Sequence, residues 1–348
     1  MPDALPTPSG AAGGQRAARA RVRVAAPSRL HFGLYAFADS LRAFGGVGVM
    51  IDRPGLALVC EAADRSSAEG PHAKRALAFA QQAAAGLGLE QPACRVRVES
   101  APPEHAGLGL GTQLGMAVAA GVAAVRNRTP GAAAGLPMPA GRLAALVGRG
   151  LRSAIGVHGF ERGGWLLDGG HTPGAALGQI EQRLPLPEAW RFVLISQGAA
   201  AGLSGRVEKE AFATLPPIPP ATTQRLRRLA TDEMAPAIAA EDYERFAAAA
   251  GEYGLVAGGC FASVQGGPFA SPAIAGLVRT LQAWGYAGSG QSSWGPTVFA
   301  LCRGQADAEE LRARLLAEQR FAGADLVLSS PNNTGAAITP LTSPPAAG

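Results

Sequence analysis

The chain has 348 residues, of which 47% are hydrophobic, and its 31 lysines and arginines outnumber its 26 aspartates and glutamates, for a net charge of +5. This length suggests about two domains, and the apolar content suffices for a sizeable core. Aromatic residues make up only 6%, and the arginines are spread along the chain and form no basic stripe interleaved with aromatics. The composition therefore argues against nucleic-acid binding.

The four cysteines stand at 60, 94, 260 and 302, without Cys-x-x-Cys spacing. This spacing argues against a zinc site and against a secreted disulfide framework. No apolar run reaches the roughly 18 residues of a membrane span, and the first twenty residues lack the apolar centre of a signal peptide. We predict a cytoplasmic protein that does not contact membranes and whose cysteines are reduced core residues.

Hydrophobic periodicity and the breakers Pro and Gly divide the chain into elements. Up to residue 196 they are predicted as strands at 21–24, 29–35, 45–51 and 55–60, a helix at 72–86, a strand at 94–99, helices at 112–126 and 140–149, and strands at 164–167 and 192–196. The remainder is predicted as helices at 222–233, 242–257 and 272–284, strands at 286–289 and 297–301, a helix at 306–318 and a strand at 324–328. This last part has the split β-α-β order of a ferredoxin-type unit.

Prolines at 185 and 187 mark a seam between two lobes. We predict a disordered tail at 1–20, an N-terminal lobe at 21–186, a C-terminal lobe at 187–335 and a second disordered tail at 336–348. The N-terminal lobe contains the most informative stretch of the chain.

A glycine-rich loop, Pro103 to Gly115, opens directly into an alanine-rich helix. Its alternating glycines let backbone N–H groups approach an anion, and the helix directs its unpaired N–H groups and positive dipole end to the same place. The loop therefore predicts a phosphate site formed by Gly107, Gly109, Gly111 and Thr112. The alternative is that these glycines only allow close helix packing.

Two familiar phosphate loops do not fit this stretch. A P-loop needs a lysine after its last glycine, and none is present. The dinucleotide fingerprint would require one residue fewer and an acidic residue about twenty positions later, but no Asp or Glu lies between Glu104 and Glu161. Pro103 to Gly109 instead match Pro-x-x-x-Gly-Leu-Gly, which resembles the loop of the GHMP small-molecule kinases.

Five motifs carry a closer resemblance. They are Pro-Ser-Arg-Leu-His-Phe-Gly at 27–33, Gly-Gly-Val-Gly-Val at 45–49, Gly-Leu-Gly-x-Gly-Thr-Gln at 107–113, Arg-Ser-Ala-Ile-Gly-Val-His-Gly-Phe at 152–160 with Gly-Gly at 163–164, and Gly-Gln-Ser-Ser-Trp-Gly-Pro at 290–296. From about residue 21 to 335 the chain resembles the β-ribofuranosylaminobenzene 5′-phosphate synthases, a non-kinase branch of the GHMP superfamily. The resemblance implies an α+β, two-lobed GHMP-kinase-like fold with a ribosomal-protein-S5-like N-terminal lobe and a ferredoxin-like C-terminal lobe.

The activity that the resemblance implies is phosphoribosyl transfer from phosphoribosyl pyrophosphate to 4-aminobenzoate or 4-hydroxybenzoate. Carbon dioxide and pyrophosphate are lost, and a β-C-riboside 5′-phosphate for tetrahydromethanopterin biosynthesis is formed. We expect Mg²⁺ to accompany the pyrophosphate, no organic cofactor, small-molecule partners only, and a homodimer as one possible assembly.

Two rival functions remain open: an ATP-dependent GHMP kinase and a catalytically silent phosphometabolite sensor. One departure argues against the kinase. Mevalonate-kinase-like members carry a catalytic aspartate in a Ser-Gly-Ile-Asp segment, whereas Ser153 to Gly156 end in glycine. A kinase would lose a hydroxyl-activating group there, but a carbon nucleophile on an aromatic ring has no hydroxyl proton to remove.

Several side chains become candidates for the site. Arg29 and Arg152 are predicted to bind phosphate groups because both lie in turn-like motif segments, with ordinary surface ion pairs as the alternative. His31, flanked by apolar residues on a strand, is predicted to face the cleft and hold a carboxylate or pyrophosphate oxygen, with a structural role as the alternative. His158, crowded by glycines, is a second catalytic candidate.

Asp168 is the best carboxylate for catalysis and for Mg²⁺, with a turn-forming role as the alternative. Trp294 is predicted to stack on the aromatic acid, unless it packs in the core. The remaining substrate-binding candidates are Gln113, Ser153, Gln291, Ser292 and Ser293.

Overall fold

The structure, a computed structural model, describes residues 19–36, 42–89, 94–126, 136, 138–197 and 215–341. Its strands are β1 (Arg21–Leu34), β2 (Gly46–Ala62), β3 (Ser67–Glu69), β4 (Cys94–Ser100), β5 (Trp165–Asp168), β6 (Ile180–Leu184), β7 (Arg191–Ser196), β8 (Ser289–Gln291), β9 (Val298–Cys302), β10 (Asp325–Ser329) and β11 (Ala337–Leu341). They form two separate sheets.

The helices are α1 (Ala73–Gly86), α2 (Leu110–Arg126), α3 (Ala140–Leu146), α4 (Ile155–Arg162), α5 (Pro220–Arg228), α6 (Ala235–Ala239), α7 (Tyr243–Gly259), α8 (Ala262–Gln265), α9 (Pro272–Ala283) and α10 (Gln305–Ala317). A π-helical turn at Leu229–Met234 joins α5 to α6, and a 3-10 turn, Gln319–Phe321, follows α10. No helix in the described ranges is both long and apolar enough to cross a membrane.

The first sheet has the strand order β11-β1-β2-β4-β3, and β2 also pairs with β5, which pairs with β6. Two pairs of predicted strands, 21–24 with 29–35 and 45–51 with 55–60, are in fact two single long strands, β1 and β2. The β1–β2 register shifts between Ala26 and Ser28 and again between His31 and Gly33. Such irregularities bend a strand without ending it. Pro27, which lies at the first of these shifts, therefore does not end β1.

Helix α2 packs on this sheet, and its burial explains its composition. Thirteen of its seventeen residues are buried. A Cβ placed on Gly121 would lie 2.4 Å from the Sγ atom of Cys60, so the helix backbone contacts β2 directly. The run of alanines and glycines that follows the glycine-rich loop therefore places the middle of α2 against the sheet.

The second sheet has the strand order β10-β7-β9-β8, with every pair antiparallel. Together with α9 and α10 this is the β-α-β-β-α-β arrangement of a ferredoxin-like unit, which confirms that prediction. Helices α5 to α8 are inserted between β7 and α9. Helix α7 reaches the first lobe, where a Cβ on Gly33 would lie 2.4 Å from that of Ala257, and Phe32 stacks on Phe299 with ring centroids 5.1 Å apart.

Several boundaries differ from the predictions, among them those of the C-terminal tail, of the helix predicted at 140–149 and of the strand predicted at 286–289. The predicted C-terminal tail begins too early at 336, because β11 pairs with β1 and buries Ile338 against the core. The helix predicted at 140–149 ends at Leu146, since Gly148 and Gly150 adopt φ of +61° and +82°, outside helical geometry. The strand predicted at 286–289 is β8, shifted toward residue 291. Residues 1–18 and 342–348 of the predicted tails lie outside the described residues.

Candidate functional site

A cavity of about 930 Å³, here called the main cavity, lies between β1 and the loops of both lobes. A second cavity of about 530 Å³, the loop cavity, is lined by residues 103–112 and Arg75. Both cavities are lined by Thr112, Arg149, Arg152, Ser293 and Trp294. The two adjoin, so a ligand with an anionic end and an apolar end can occupy both.

The glycine loop is fixed by the motifs at 27–33 and 290–296. The Arg29 N–H donates to the carbonyl of Leu108 at 3.0 Å, and the Ser292 hydroxyl donates to the carbonyl of Gly107 at 2.8 Å. Gly107 and Gly109 adopt φ of +81° and +75°, in the region that favours glycine. The structure thus brings three segments, distant in sequence, to one place.

The backbone of Gly111 and two guanidinium groups converge at the start of α2. The N–H groups of Thr112 and Gln113 donate to the carbonyl of Gly109 at 3.0 and 3.2 Å, while helix geometry gives Gly111, earlier in the turn, no carbonyl within its own helix. A Cβ on Gly111 would lie 2.9 Å from the Nη2 atom of Arg75 and 3.6 Å from the Nη1 atom of Arg149. This geometry suits an oxyanion.

The charge around this point is positive. The Nε atom of Arg149 is buried without a hydrogen-bond partner among the described residues. Burial, together with the charges of Arg75 and Arg152, lowers the pKa of Arg149. The Glu104 carboxylate accepts a 2.7 Å hydrogen bond from Arg75. This contact lowers the pKa of Glu104. The described lining of the main cavity contains no Asp or Glu at all. A bound anion would therefore reduce the repulsion between Arg149 and its neighbours Arg75 and Arg152.

His31 lines the main cavity as a neutral ring. Its Nδ1 atom accepts a hydrogen bond from the Gly33 N–H at 3.1 Å, so the hydrogen-bond pattern assigns the proton to Nε2, which lies 3.2 Å from the Ser153 hydroxyl oxygen. Burial and the neighbouring Arg29 hold the pKa of His31 well below its usual 6.5. The predicted cleft position is therefore observed, although this form of the ring cannot pair with an anion as a cation.

Asp168 lies behind Ser153, outside the lining of both cavities. One of its oxygens accepts the Gly170 N–H at 2.9 Å, and the other accepts the Ala154 N–H at 2.6 Å. Burial raises its pKa to about 6, against the opposing effect of these hydrogen bonds. The described residues contain no cluster of three His, Cys, Asp or Glu side chains that could hold a metal ion. The site therefore does not fit a protein-held magnesium ion at Asp168.

Three other candidates lie outside the lining of both cavities. The His158 Nε2 atom lies 3.1 Å from the carbonyl of Gly178. Gln113 is buried and donates to the carbonyl of Gly156 at 2.8 Å. Ser292 is also buried, and its hydroxyl oxygen accepts the His31 N–H at 3.1 Å. These contacts indicate that the three side chains support the site from behind.

Aromatic side chains form another wall of the main cavity. Trp294 meets Phe261 edge to face, with ring centroids 4.7 Å apart, and Phe44 and Leu34 belong to the same cluster. Gln291 lines the cavity, but its amide is engaged internally: it accepts the Ala270 N–H at 2.8 Å and donates to the Ser293 carbonyl at 2.9 Å. This wall suits a flat apolar ring.

Sequence reasoning missed Arg75, Arg149 and Phe261. Arg149 stands between two glycines that take positive φ, and a Gly-Arg-Gly turn is a signal that sequence reasoning can use. Arg75 carries no such signal because it lies on a helix about thirty residues before the loop, and only the packing of α1 on α2 brings it close.

Comparison with known proteins agrees with this architecture. Residues 234–319 match the family described as GHMP kinases C terminal. The homoserine kinase structure from Cytophaga hutchinsonii superposes with a TM-score of 0.63 at 17% identity, covering 91% of this chain and 97% of that one. At this identity the likeness shows the fold alone.

Two curated relatives are closer in sequence. The beta-ribofuranosylphenol 5′-phosphate synthase of Methanothermobacter thermautotrophicus is 30% identical over 298 residues, which cover 79% of this chain and 87% of the relative. The protein of the same name from Methanocaldococcus jannaschii is 25% identical over 339 residues, with 89% and 97% covered. With its GHMP-kinase fold and this extent of similarity, the chain belongs to the beta-ribofuranosylphenol 5′-phosphate synthase family.

Proposed function

We propose that the protein transfers the 5-phosphoribosyl group of phosphoribosyl pyrophosphate to a para-substituted benzoate, with loss of carbon dioxide. The observation that carries the proposal is one cleft with two chemically different parts. Its loop end gathers Gly111, Arg75 and Arg149 without a free carboxylate, whereas Trp294 and Phe261 form an apolar wall. A phosphorylated sugar and an aromatic acid require these two environments.

The chemistry is a substitution at the anomeric carbon. The ring carbon that carries the carboxylate supplies the electron pair for the new carbon–carbon bond, and the bond to pyrophosphate breaks with its electron pair leaving on oxygen. Loss of carbon dioxide then returns the electrons of the ring–carboxylate bond to the ring and restores aromaticity. The protein's contribution is orientation of the two substrates and stabilisation of the departing negative charge by guanidinium and backbone N–H groups.

We infer 4-hydroxybenzoate as the first acceptor to test, because both curated relatives are named for a phenol product; 4-aminobenzoate is the second. The product would then enter tetrahydromethanopterin synthesis, as the sequence resemblance implies. Magnesium would be carried by the pyrophosphate oxygens, since the described lining of the main cavity offers no carboxylate.

The kinase alternative lacks its acid in this chain. Gly156 replaces the expected aspartate and lies against α2, where a Cβ would be 3.3 Å from the Cγ2 atom of Thr112. Neither cavity is lined by this residue. This position therefore offers no carboxylate to a substrate hydroxyl.

The test mixes purified protein, phosphoribosyl pyrophosphate, magnesium and carboxyl-labelled 4-hydroxybenzoate, or separately 4-aminobenzoate. We expect labelled carbon dioxide and pyrophosphate to appear in equal amounts. A parallel reaction contains ATP with homoserine or mevalonate. Phosphorylation of either alcohol would support the kinase, and binding of phosphoribosyl pyrophosphate without release of pyrophosphate would support the sensor.

A further inference from the structure

We propose that Asp168 is a positioning residue that acts through Ser153 to hold His31 as a neutral ring in the wall of the main cavity. The inference deepens the proposed function and rests on it for its kinetic part. It is carried by a chain of hydrogen bonds that runs from Gly33 through His31 and Ser153 to Asp168.

The two ends of this chain determine the direction of every hydrogen bond in it. The Gly33 N–H can only donate, so His31 Nδ1 accepts and Nε2 carries the proton. The Nε2–H then donates to Ser153 Oγ at 3.2 Å, and the Ser153 hydroxyl donates to Asp168 Oδ2 at 3.3 Å. A protonated imidazole would turn a second donor toward Gly33 and lose that contact, so the chain selects the neutral ring.

Asp168 is built into the protein so that it can orient Ser153 but cannot contact a ligand. Its side chain is fully buried, and a Cβ on Gly178 would lie 2.8 Å from Oδ1. The Tyr35 hydroxyl donates to the backbone carbonyl of Asp168 at 2.7 Å. The carboxylate thereby ties the segment before α4 to the end of β5 and presents the Ser153 hydroxyl to His31.

The wall formed by His31 and the loop end with its arginines would receive different parts of the substrate. His31 is wedged in place, since a Cβ on Gly46 would lie 3.1 Å from its Cε1 atom, and both ring nitrogens are engaged. An uncharged wall beside Arg29 suits the ribose or the aromatic ring, whereas phosphate groups are left to Arg75, Arg149 and the glycine loop. Positioning of His31 should therefore affect turnover more than binding of the charged substrate.

The test compares Ser153→Ala with Ser153→Thr, which keeps the hydroxyl. In ¹⁵N NMR of the full chain, with the His31 signals assigned from a His31→Gln spectrum, the unmodified protein should show one Nε2–H tautomer between about pH 6 and 8. Because the Gly33 N–H still fixes the tautomer, we expect Ser153→Ala to keep the Nε2–H form but to leave this proton without its acceptor, so that it exchanges faster with water. We also expect kcat to fall about tenfold, while KM for phosphoribosyl pyrophosphate changes by less than about twofold. Ser153→Thr should restore both the slow exchange of the Nε2 proton and kcat.

Three results would overturn the proposal: unchanged exchange of the His31 Nε2 proton in Ser153→Ala, faster exchange with unchanged kcat, or failure of Ser153→Thr to restore either property. Thermal unfolding of both variants identifies any loss of fold, because Ser153 Oγ also accepts the Ile155 N–H at 3.3 Å. If the unmodified protein releases no pyrophosphate, the proposed function fails, and the exchange of the Nε2 proton alone decides whether Ser153 positions His31.

Discussion

Gly111 and Arg75 lie so close that a methyl group on the glycine would come within 2.9 Å of the Nη2 atom of the arginine. The glycine therefore keeps the first turn of α2 open to a guanidinium group that comes from α1. Arg75 is held from its other side by Glu104, at 2.7 Å. Arg75 and Glu104 therefore form part of the wall of the loop cavity, beside the glycine motif.

Gly111→Ala should weaken substrate binding without unfolding the protein. The methyl group displaces only the flexible end of Arg75, so the free energy of unfolding should change by less than about 0.5 kcal/mol. Loss of one charge-assisted hydrogen bond, about 1.5 kcal/mol, should raise KM for phosphoribosyl pyrophosphate about tenfold. Initial-rate kinetics measure this.

The matched control is Gly276→Ala, inside α9, where a Cβ has nothing within 4 Å. It should stabilise the helix by up to about 1 kcal/mol and leave KM unchanged. Equal KM values for the two variants would show that Arg75 takes no part in binding.

Arg149→Met should lower the affinity for pyrophosphate at least about tenfold, because a buried guanidinium contact to an anion is lost. The ligand-free protein should unfold at the same or a higher temperature, since Arg149 is partly buried and repelled by Arg75 and Arg152. Titration calorimetry with pyrophosphate and thermal unfolding measure the two effects. Arg142→Met, at an exposed position of α3, is the control, and equal affinities of both variants would contradict the assignment.

Much of the fold follows from the sequence because its signals are local. The alternation at the start of β1, the apolar runs of β2, the alanine-rich helix after the glycine loop, and the strand–helix order of the second lobe all depend on neighbouring residues. The pairing of β11 with β1 is different: it joins residues more than 300 positions apart. No local pattern separates such a strand from a tail.

The candidate site was likewise predictable only where its residues lie in local sequence motifs. Arg29, His31 and the loop glycines lie in recognisable motifs, and the structure places them around one cleft. Arg75 depends on helix packing, which the sequence does not show. The catalytic roles predicted for Asp168 and His158 did not anticipate that both lie outside the lining of the two cavities. A carboxylate after an apolar strand looks the same in sequence whether it faces a ligand or caps a neighbouring segment.

The buried carboxyl of Asp168 should give the protein a pH-dependent stability of unusual sign. Burial raises its pKa from 3.8 to about 6, so the folded state binds this proton more tightly than the unfolded state does. Its stabilising contribution is therefore present below about pH 4, is lost as the pH rises to about 6, and stays constant above. This rise of the Asp168 pKa corresponds to about 3 kcal/mol of stability.

Asp168→Asn isolates this effect because its amide does not titrate. The variant should be less stable by about 1–3 kcal/mol near neutral pH, since the amide can accept only one of the two backbone N–H groups. Its deficit relative to the unmodified protein should be larger near pH 4 than near pH 7, by about 3 kcal/mol. Denaturant unfolding of both proteins across this range measures the difference, and a constant difference would mean that the Asp168 pKa is not raised.

Gly156→Asp should not convert the protein into a kinase, although it restores the acid of the Ser-Gly-Ile-Asp segment. The new side chain would start 3.3 Å from Thr112 Cγ2 and 3.6 Å from Gln113 Nε2, between α4 and α2. A carboxylate at this packed contact should cost about 1–3 kcal/mol of stability and, by pushing on Thr112, should lower pyrophosphate release. Gly156→Ala, which adds only the Cβ, separates the steric effect from the charge. Consumption of ATP with homoserine or mevalonate by Gly156→Asp, but not by Gly156→Ala, would show that the position does reach the cleft and that the glycine alone separates this chain from the kinases.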